Sequence, residues 1–196
     1  MSARDVYPVE IARLFPPQGQ WTEDDYFALP ESMQIVELSD GEIVMPTPPV
    51  VHHQKIIMKL GFALDEFVRK GGLGSVYLAP VAVRLWKGKI REPDILFVRK
   101  EHEDRIHETR IEGAPDWVAE VISPGTRHTD EVKKMAEYAR AGVPEYWPLD
   151  PKKHTIRVCH LESETYSLTA TYQPGQMARS VTISGFEVSV GEVLSK

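Results

Sequence analysis

The chain of 196 residues carries 23 Lys and Arg against 29 Asp and Glu, a formal net charge of −6, with 42% hydrophobic and 27% charged residues. That length suits one domain with a full core, and the ordinary apolar-to-charged balance excludes wholesale disorder. The acidic excess excludes a broad basic footprint for nucleic acid. Phosphate contacts would have to come from local clusters, Arg84, Lys87, Lys89 and Arg91 or Arg127, Lys133 and Lys134, whose commoner role is as solvated surface charges.

Residues 1–20 read as an N-terminal arm ending in Pro16-Pro17-Gln18-Gly19, ahead of a single domain over 21–196. Met1 to Glu10 mixes charges without an apolar run, so no signal peptide is expected. No stretch nears the roughly 18 apolar residues of a membrane span, and a soluble cytoplasmic protein is expected. Thr22 caps a short helix over Glu23 to Ala28, with Asp25 at the capping-box position. Ile35–Leu38 and Glu42–Met45, joined by Ser39-Asp40-Gly41, form a hairpin-like pair. Apolar residues at helical spacing from Ile56 to Val68 predict a long helix over Val51 to Lys70, ended by Gly71-Gly72.

Three strand-like runs follow, Ser75 to Ala79, Val81 to Trp86 and Ile95 to Val98, with Gly88-Lys89 suited to a hairpin turn. Residues 100–113 are charged and without period, and read as a mobile loop that can hold a helical turn. Asp116 to Ile122 is almost continuously apolar, the pattern of a central strand covered on both faces. A helix over Asp130 to Ala141 and a strand over Glu145 to Leu149 come next, then short strands near 154–160, 165–171 and 181–188. This order predicts an α/β (α+β) fold, a mixed central sheet flanked by helices.

The informative residue is Glu120, a carboxylate inside that apolar strand and on one face with Val118 and Ile122. Burying it costs several kcal/mol unless a cation, a lysine or a proton compensates. Asp94 opens another strand behind Pro93. Were the two about 4 Å apart, their repulsion would be roughly 4 kcal/mol at an effective dielectric of 20, which favours a divalent cation. Oxygen ligands point to Mg²⁺ or Mn²⁺ rather than zinc. Lys134 lies one helical turn after Asp130 and can reach back to the end of the preceding strand. Each has a plainer reading. Asp94 could be a strand-start turn residue, Glu120 a buried ion pair with Lys134, and Lys134 a surface lysine with Lys133 in its place. Tyr138 and Trp147 read as core. Cys159, the single cysteine, allows no internal disulfide and reads as a small core residue. The remaining histidines, His52, His102, His107, His128, His154 and His160, show no metal-ligand spacing.

In ordered segments the chain resembles the Uma-type restriction endonucleases, a bacterial branch of the PD-(D/E)XK nuclease superfamily. The segments are Trp21–Pro30, Glu37–Val44, His53–Ile56, Glu92–Ile95, Val118–Pro124, Asp130 through Lys134 to Tyr138, and Gly142–Trp147 with Asp150-Pro151. The resemblance implies a four- or five-stranded mixed sheet and an Mg²⁺-dependent DNA endonuclease that works as a homodimer, with one site for each strand cut. It implies a metal site of Asp94, Glu120 and the backbone carbonyl of Val121. Glu37 resembles an N-terminal acidic residue of many members, and otherwise reads as an exposed hairpin residue. His53 falls on the buried face of its helix, as a site residue or a hydrogen-bonded core histidine. The superfamily lysine two positions after the glutamate is replaced here by Ile122, and the resemblance is to a branch whose following helix supplies it, at Lys134. The same fold could serve as a non-catalytic module for nucleic acid or protein, or as a nuclease for RNA or branched DNA.

Overall fold

The structure, a computed structural model, describes residues 15–30, 34–46, 48–123 and 129–196. The arm up to residue 14, Arg127 and His128, and the Pro124-Gly125 turn lie outside the described residues. From Gln18 to Trp21 the expected arm is tied to the first hairpin: the N–H groups of Gly19 and Trp21 donate to the Gly41 carbonyl, and the Gln18 amide donates to Ile43 O.

Helix α1 (Glu23–Phe27) starts on a complete capping box between Thr22 and Asp25. Strands β1 (Glu37–Ser39) and β2 (Glu42–Val44) form the hairpin, its turn closed by Asp40 and Gly41 at positive φ. Helix α2 (Val51–Gly71) ends as Gly72 takes the left-handed conformation, at φ 60°. It buries Ile56, Ile57, Leu60, Leu64 and Val68, the spacing that the sequence shows.

Two sheets follow. Strands β4 (Val83–Trp86) and β5 (Lys89–Arg91) join the hairpin in a five-stranded sheet of order β2-β1-β5-β4-β7, where β7 is Ile111–Glu112. Strands β3 (Gly74–Leu78), β6 (Ile95–Arg99), β8 (Trp117–Val121), β9 (Glu145–Asp150), β10 (Thr155–Glu162) and β11 (Thr165–Tyr172) build a six-stranded sheet of order β11-β10-β9-β8-β6-β3. This is larger than the four or five strands that the family resemblance implies. The chain passes from one sheet to the other through Glu92-Pro93-Asp94, between β5 and β6.

Every residue of β8 is buried. Trp117, Ala119 and Val121 pack into the core under α2, and Val118 packs with Tyr138 and Tyr146 on the opposite side. Between β8 and its parallel neighbour β9 the chain crosses over through a π-helical turn (Thr129–Lys134) and helix α3 (Met135–Ala141). The sequence reads this stretch as one regular helix; its first half is wider.

Two expectations fail. Residues 100–113 are structured: a 3-10 helix (Lys100–Arg105) leads to β7, which pairs in parallel with β4 and buries Ile111. The charges that hid this are satisfied locally, His102 and the Arg99 N–H on Asp116 and Arg105 on Ala114 O. The strand expected over 181–188 is instead a two-stranded pair, β12 (Met177–Arg179) and β13 (Glu187–Ser189), followed by helix α4 (Val190–Leu194). The buried Glu145 carboxylate accepts from the Ser180 hydroxyl and from the N–H groups of Val181 and Thr182, which holds that segment as a turn.

Cys159 is buried in β10, and burial pushes its thiol up to about 11. At pH 8 the native thiolate fraction is then roughly a hundredfold below that of the unfolded chain. A disulfide reagent is expected to titrate Cys159 rapidly in denaturant and very slowly in the native protein. Fast native labelling would contradict its burial.

Candidate active site

The junction of the two sheets collects the chemistry. The β6–β8 register pairs Ile95 with Ala119 and Leu96 with Val118, and continued by one residue it sets Asp94 across from Glu120. Cross-strand neighbours in that position share a sheet face. Asp94 is pinned there, because the Val121 N–H donates to its Oδ2 at 2.7 Å and the His53 ring Nε2 lies 3.2 Å from Oδ1. His53 arrives from the first turn of α2, which makes it a site neighbour as well as a partly buried residue.

Glu120 is met from the π-helical turn and α3. Lys134 Nζ donates to Glu120 Oε1 at 2.9 Å and the Tyr138 hydroxyl donates to the same oxygen at 2.7 Å. The two donors are four residues apart, one turn along a helix face. Lys134 ends the π-helical turn, a feature that recurs at functional sites. Its ammonium also lies 3.2 Å from Glu37 Oε1. Glu37 is not an exposed hairpin residue but is 2% exposed. The β1–β5 register places it opposite Arg91, whose guanidinium donates to Glu37 Oε2 at 2.9 Å. Lys133 is exposed, so the choice between the two lysines falls on Lys134.

A second tier went unread in the sequence. Glu137 of α3 accepts from Arg91 and from Lys89, which also donates to Ser39 and Asp40. Burial works against ionisation of Glu137, yet the hydrogen bonds from Arg91 and Lys89 prevail and hold it below the usual carboxylate range. Glu92 accepts from the Tyr26 hydroxyl at 2.8 Å. Burial, opposed by that bond and by the Val36 N–H, pushes it up to about 7. Tyr138 is core as expected, and its hydroxyl contact with Glu120 was legible only as the i+4 neighbour of Lys134. The basic cluster is also reassigned. Lys89, Arg91 and Lys134 are buried in ion pairs, and Arg84 bridges Glu23 and Glu112. Lys87 and Lys133 remain exposed.

The cluster is rich in oxygen donors. Glu37, Glu92, Asp94, Glu120 and Glu137 bring five carboxyl groups into one region against three cations, Lys89, Arg91 and Lys134, so acid is in excess. Among the described residues no three His, Cys, Asp or Glu side chains form a metal-binding group. An ion here would rest on two carboxylates, a backbone carbonyl and water, the sparse oxygen set that Mg²⁺ accepts.

A mixed sheet flanked by helices, with one acid just before a central strand and the other near the end of its antiparallel neighbour, is a restriction-endonuclease-like fold. The chain belongs to the Uma2 family, described as "Putative restriction endonuclease", whose model matches residues 23–191. It is similar in fold to a crystal structure described as "a putative nuclease belonging to DUF820" from Anabaena variabilis ATCC 29413. The TM-score is 0.73 at 21% identity, covering 89% of this chain and 98% of that one. No curated protein matches the chain. No helix among the described residues is long and apolar enough to cross a membrane.

Proposed function

We propose that the chain is an Mg²⁺- or Mn²⁺-dependent endonuclease that hydrolyses phosphodiester bonds of double-stranded DNA. One observation carries the reading: buried Asp94, just before β6, and buried Glu120, near the end of the antiparallel β8, lie across from each other on one sheet face, with the Lys134 ammonium on Glu120. The family description and the name of the structural relative support a nucleic-acid substrate.

Asp94, Glu120 and the Val121 carbonyl would hold the cation, which when bound would supply Lewis acidity toward a phosphate oxygen. The chain's own groups divide the remaining work. The Val121 N–H and His53 fix the Asp94 carboxylate; Lys134 and Tyr138 fix that of Glu120. As water adds to phosphorus and a P–O ester bond breaks, negative charge grows on the phosphate oxygens. Lys134 stands ready to stabilise it without reorganisation. Glu37 acts as a positioning residue, its Oε1 3.2 Å from the Lys134 ammonium.

The test is incubation of purified protein with supercoiled plasmid, single-stranded RNA and a branched DNA, each with Mg²⁺, with Mn²⁺ and with EDTA. Nicking and linearisation of plasmid with either metal, and none in EDTA, is expected. Cleavage of only RNA or branched DNA would overturn the substrate assignment and leave the chemistry standing. Hydrolysis indifferent to EDTA, or none on any substrate, would overturn the whole reading.

A further inference from the structure

A cavity of about 730 Å³ lies between helix α1, Tyr77 of β3 and the segment 106–110 ahead of β7. The proposed hydrolysis makes no use of it. Its volume is that of a small-molecule site. Tyr26, Phe27, Tyr77 and Ile106 give it aromatic and aliphatic walls. Arg110 lines it too, with its guanidinium 4.8 Å from the centre of the Phe27 ring. Glu92 lines the same cavity and is 7% exposed. Its carboxyl group is short of donors. The Tyr26 hydroxyl lies 2.8 Å from Glu92 Oε1 and 2.8 Å from the Val36 carbonyl, so one proton faces two acceptors. Glu92 Oε2 meets the Val36 N–H at 3.4 Å. Among the described residues no cation pairs with Glu92, whereas Glu37 holds Arg91 and Glu120 holds Lys134. A buried acceptor so poorly supplied is costly, and an N–H donor entering the cavity relieves it.

We propose that this cavity receives a guanine base of the nucleic-acid substrate, turned out of its stack, with Glu92 accepting from its Watson–Crick edge. An ionised carboxylate only accepts. Guanine presents two adjacent donors on that edge, N1–H and the 2-amino group. Thymine and uracil present one N–H between two carbonyls, whose oxygens repel the carboxylate. Adenine and cytosine set an amino group beside a ring acceptor, and so match half of it. Unstacked bases are held by stacking on aromatic rings and on Arg guanidinium planes, and Phe27, Tyr77 and Arg110 supply such surfaces. The place of the cavity favours a base over other amine-bearing ligands. Glu92 stands two residues before Asp94, so their α-carbons are at most about 7 Å apart, within the reach of one nucleotide. The Ala79 N–H donates to the Asp94 carbonyl, and the next residue, Pro80, lines the cavity. A base that is already unpaired or mispaired is the easiest to extrude. The arrival of a base here rests on the nuclease reading; the test does not, because it needs no hydrolysis.

The full chain is titrated in EDTA with the deoxynucleoside monophosphates of guanine, hypoxanthine, adenine, cytosine and thymine, followed by amide chemical shifts, with circular dichroism to confirm folding of each variant. The guanine nucleotide is expected to bind with a Kd on the order of a millimolar and to shift the amides of Phe27, Tyr77 and Ile106. The thymine nucleotide should bind at least about tenfold more weakly, and the hypoxanthine nucleotide, which lacks the 2-amino group, between the two. Glu92→Gln turns an N–H toward the base and should erase the preference for guanine. Tyr77→Ala leaves Glu92 in place, and should weaken every nucleotide several-fold while the preference survives. A carboxyl that merely carries a proton toward Tyr26 would show no preference among the nucleotides, and that result would overturn the proposal. So would shifts confined to other surfaces, a guanine preference that persists in Glu92→Gln, or tighter binding of N-acetyl-lysine amide at the same residues, which would mark a peptide site. Selective binding by a chain that cuts no substrate would keep the cavity and sink the nuclease reading; cutting by a chain that ignores the guanine nucleotide would do the reverse.

Discussion

Asp94→Asn is expected to abolish plasmid cleavage while leaving the fold intact. The amide is nearly isosteric with the carboxylate. Its oxygen can still accept from the Val121 N–H, and its nitrogen can donate to His53. What it lacks is the negative charge. Removal of one preorganised electrostatic group at a reacting centre costs on the order of 10²–10³-fold in rate, and loss of an ionic ligand to the cation pushes toward the upper end. Thermal melting should shift by only a few degrees, the effect of at most about 1 kcal/mol in a domain of this size. Asp94→Ala is a poorer probe, because it strands the Val121 N–H in the interior at about 1–3 kcal/mol and mixes misfolding with lost chemistry. Plasmid nicking, Mn²⁺ titration calorimetry and melting on one preparation of the Asn variant separate the two. A variant that still cuts within tenfold of wild type would remove Asp94 from the site.

The sequence was most informative where one physical pattern dominated. The amphipathic period of α2, the capping box at Thr22 and the almost continuous apolar run of β8 each mark an element close to its observed limits. Glu120 stood out because a carboxylate in such a run needs a reason. Asp94 stood out because Pro93 stands before it and a strand follows it. What stayed hidden depends on partners distant in sequence. Glu37 has the local look of a hairpin residue and is buried only because β5 pairs beside it and brings Arg91 opposite. Glu92, Glu137, Lys89 and Arg91 look like scattered surface charges until the two sheets meet. Ile106 and Ile111 are isolated in a charged stretch, too little to reveal a two-residue strand that is held by pairing with β4 and by a bridge between those two residues. The widened turn before α3 leaves no mark on apolar spacing, yet it helps set Lys134 and Tyr138 over Glu120.

Lys134→Met should be both inactive and markedly less stable, and the comparison with Lys133→Met makes the result decisive. Lys134 is 8% exposed and its ammonium is shared by Glu120 at 2.9 Å and Glu37 at 3.2 Å. Methionine fills much the same volume without the charge, so two buried carboxylates lose a common cation, a change that costs about 3–5 kcal/mol when a buried pair is broken from one side. Lys133 is exposed, and its replacement should move stability by no more than about 0.5 kcal/mol and leave cleavage near wild type. Adding Glu120→Gln to Lys134→Met removes one of the two charges and should recover much of the stability, with no recovery of cleavage, because neither ligand nor ammonium returns. Divalent cation supplies a further readout. A ligand that binds only the native state stabilises it in proportion to its affinity, and the Lys134→Met cluster has gained uncompensated negative charge. Millimolar Mg²⁺ or Mn²⁺ should therefore raise the melting temperature of Lys134→Met more than that of wild type, and should lose this effect when Asp94→Asn is combined with it. Equal stabilisation of all three proteins would mean that the cation binds elsewhere, and that the Glu120–Lys134 pair is structural.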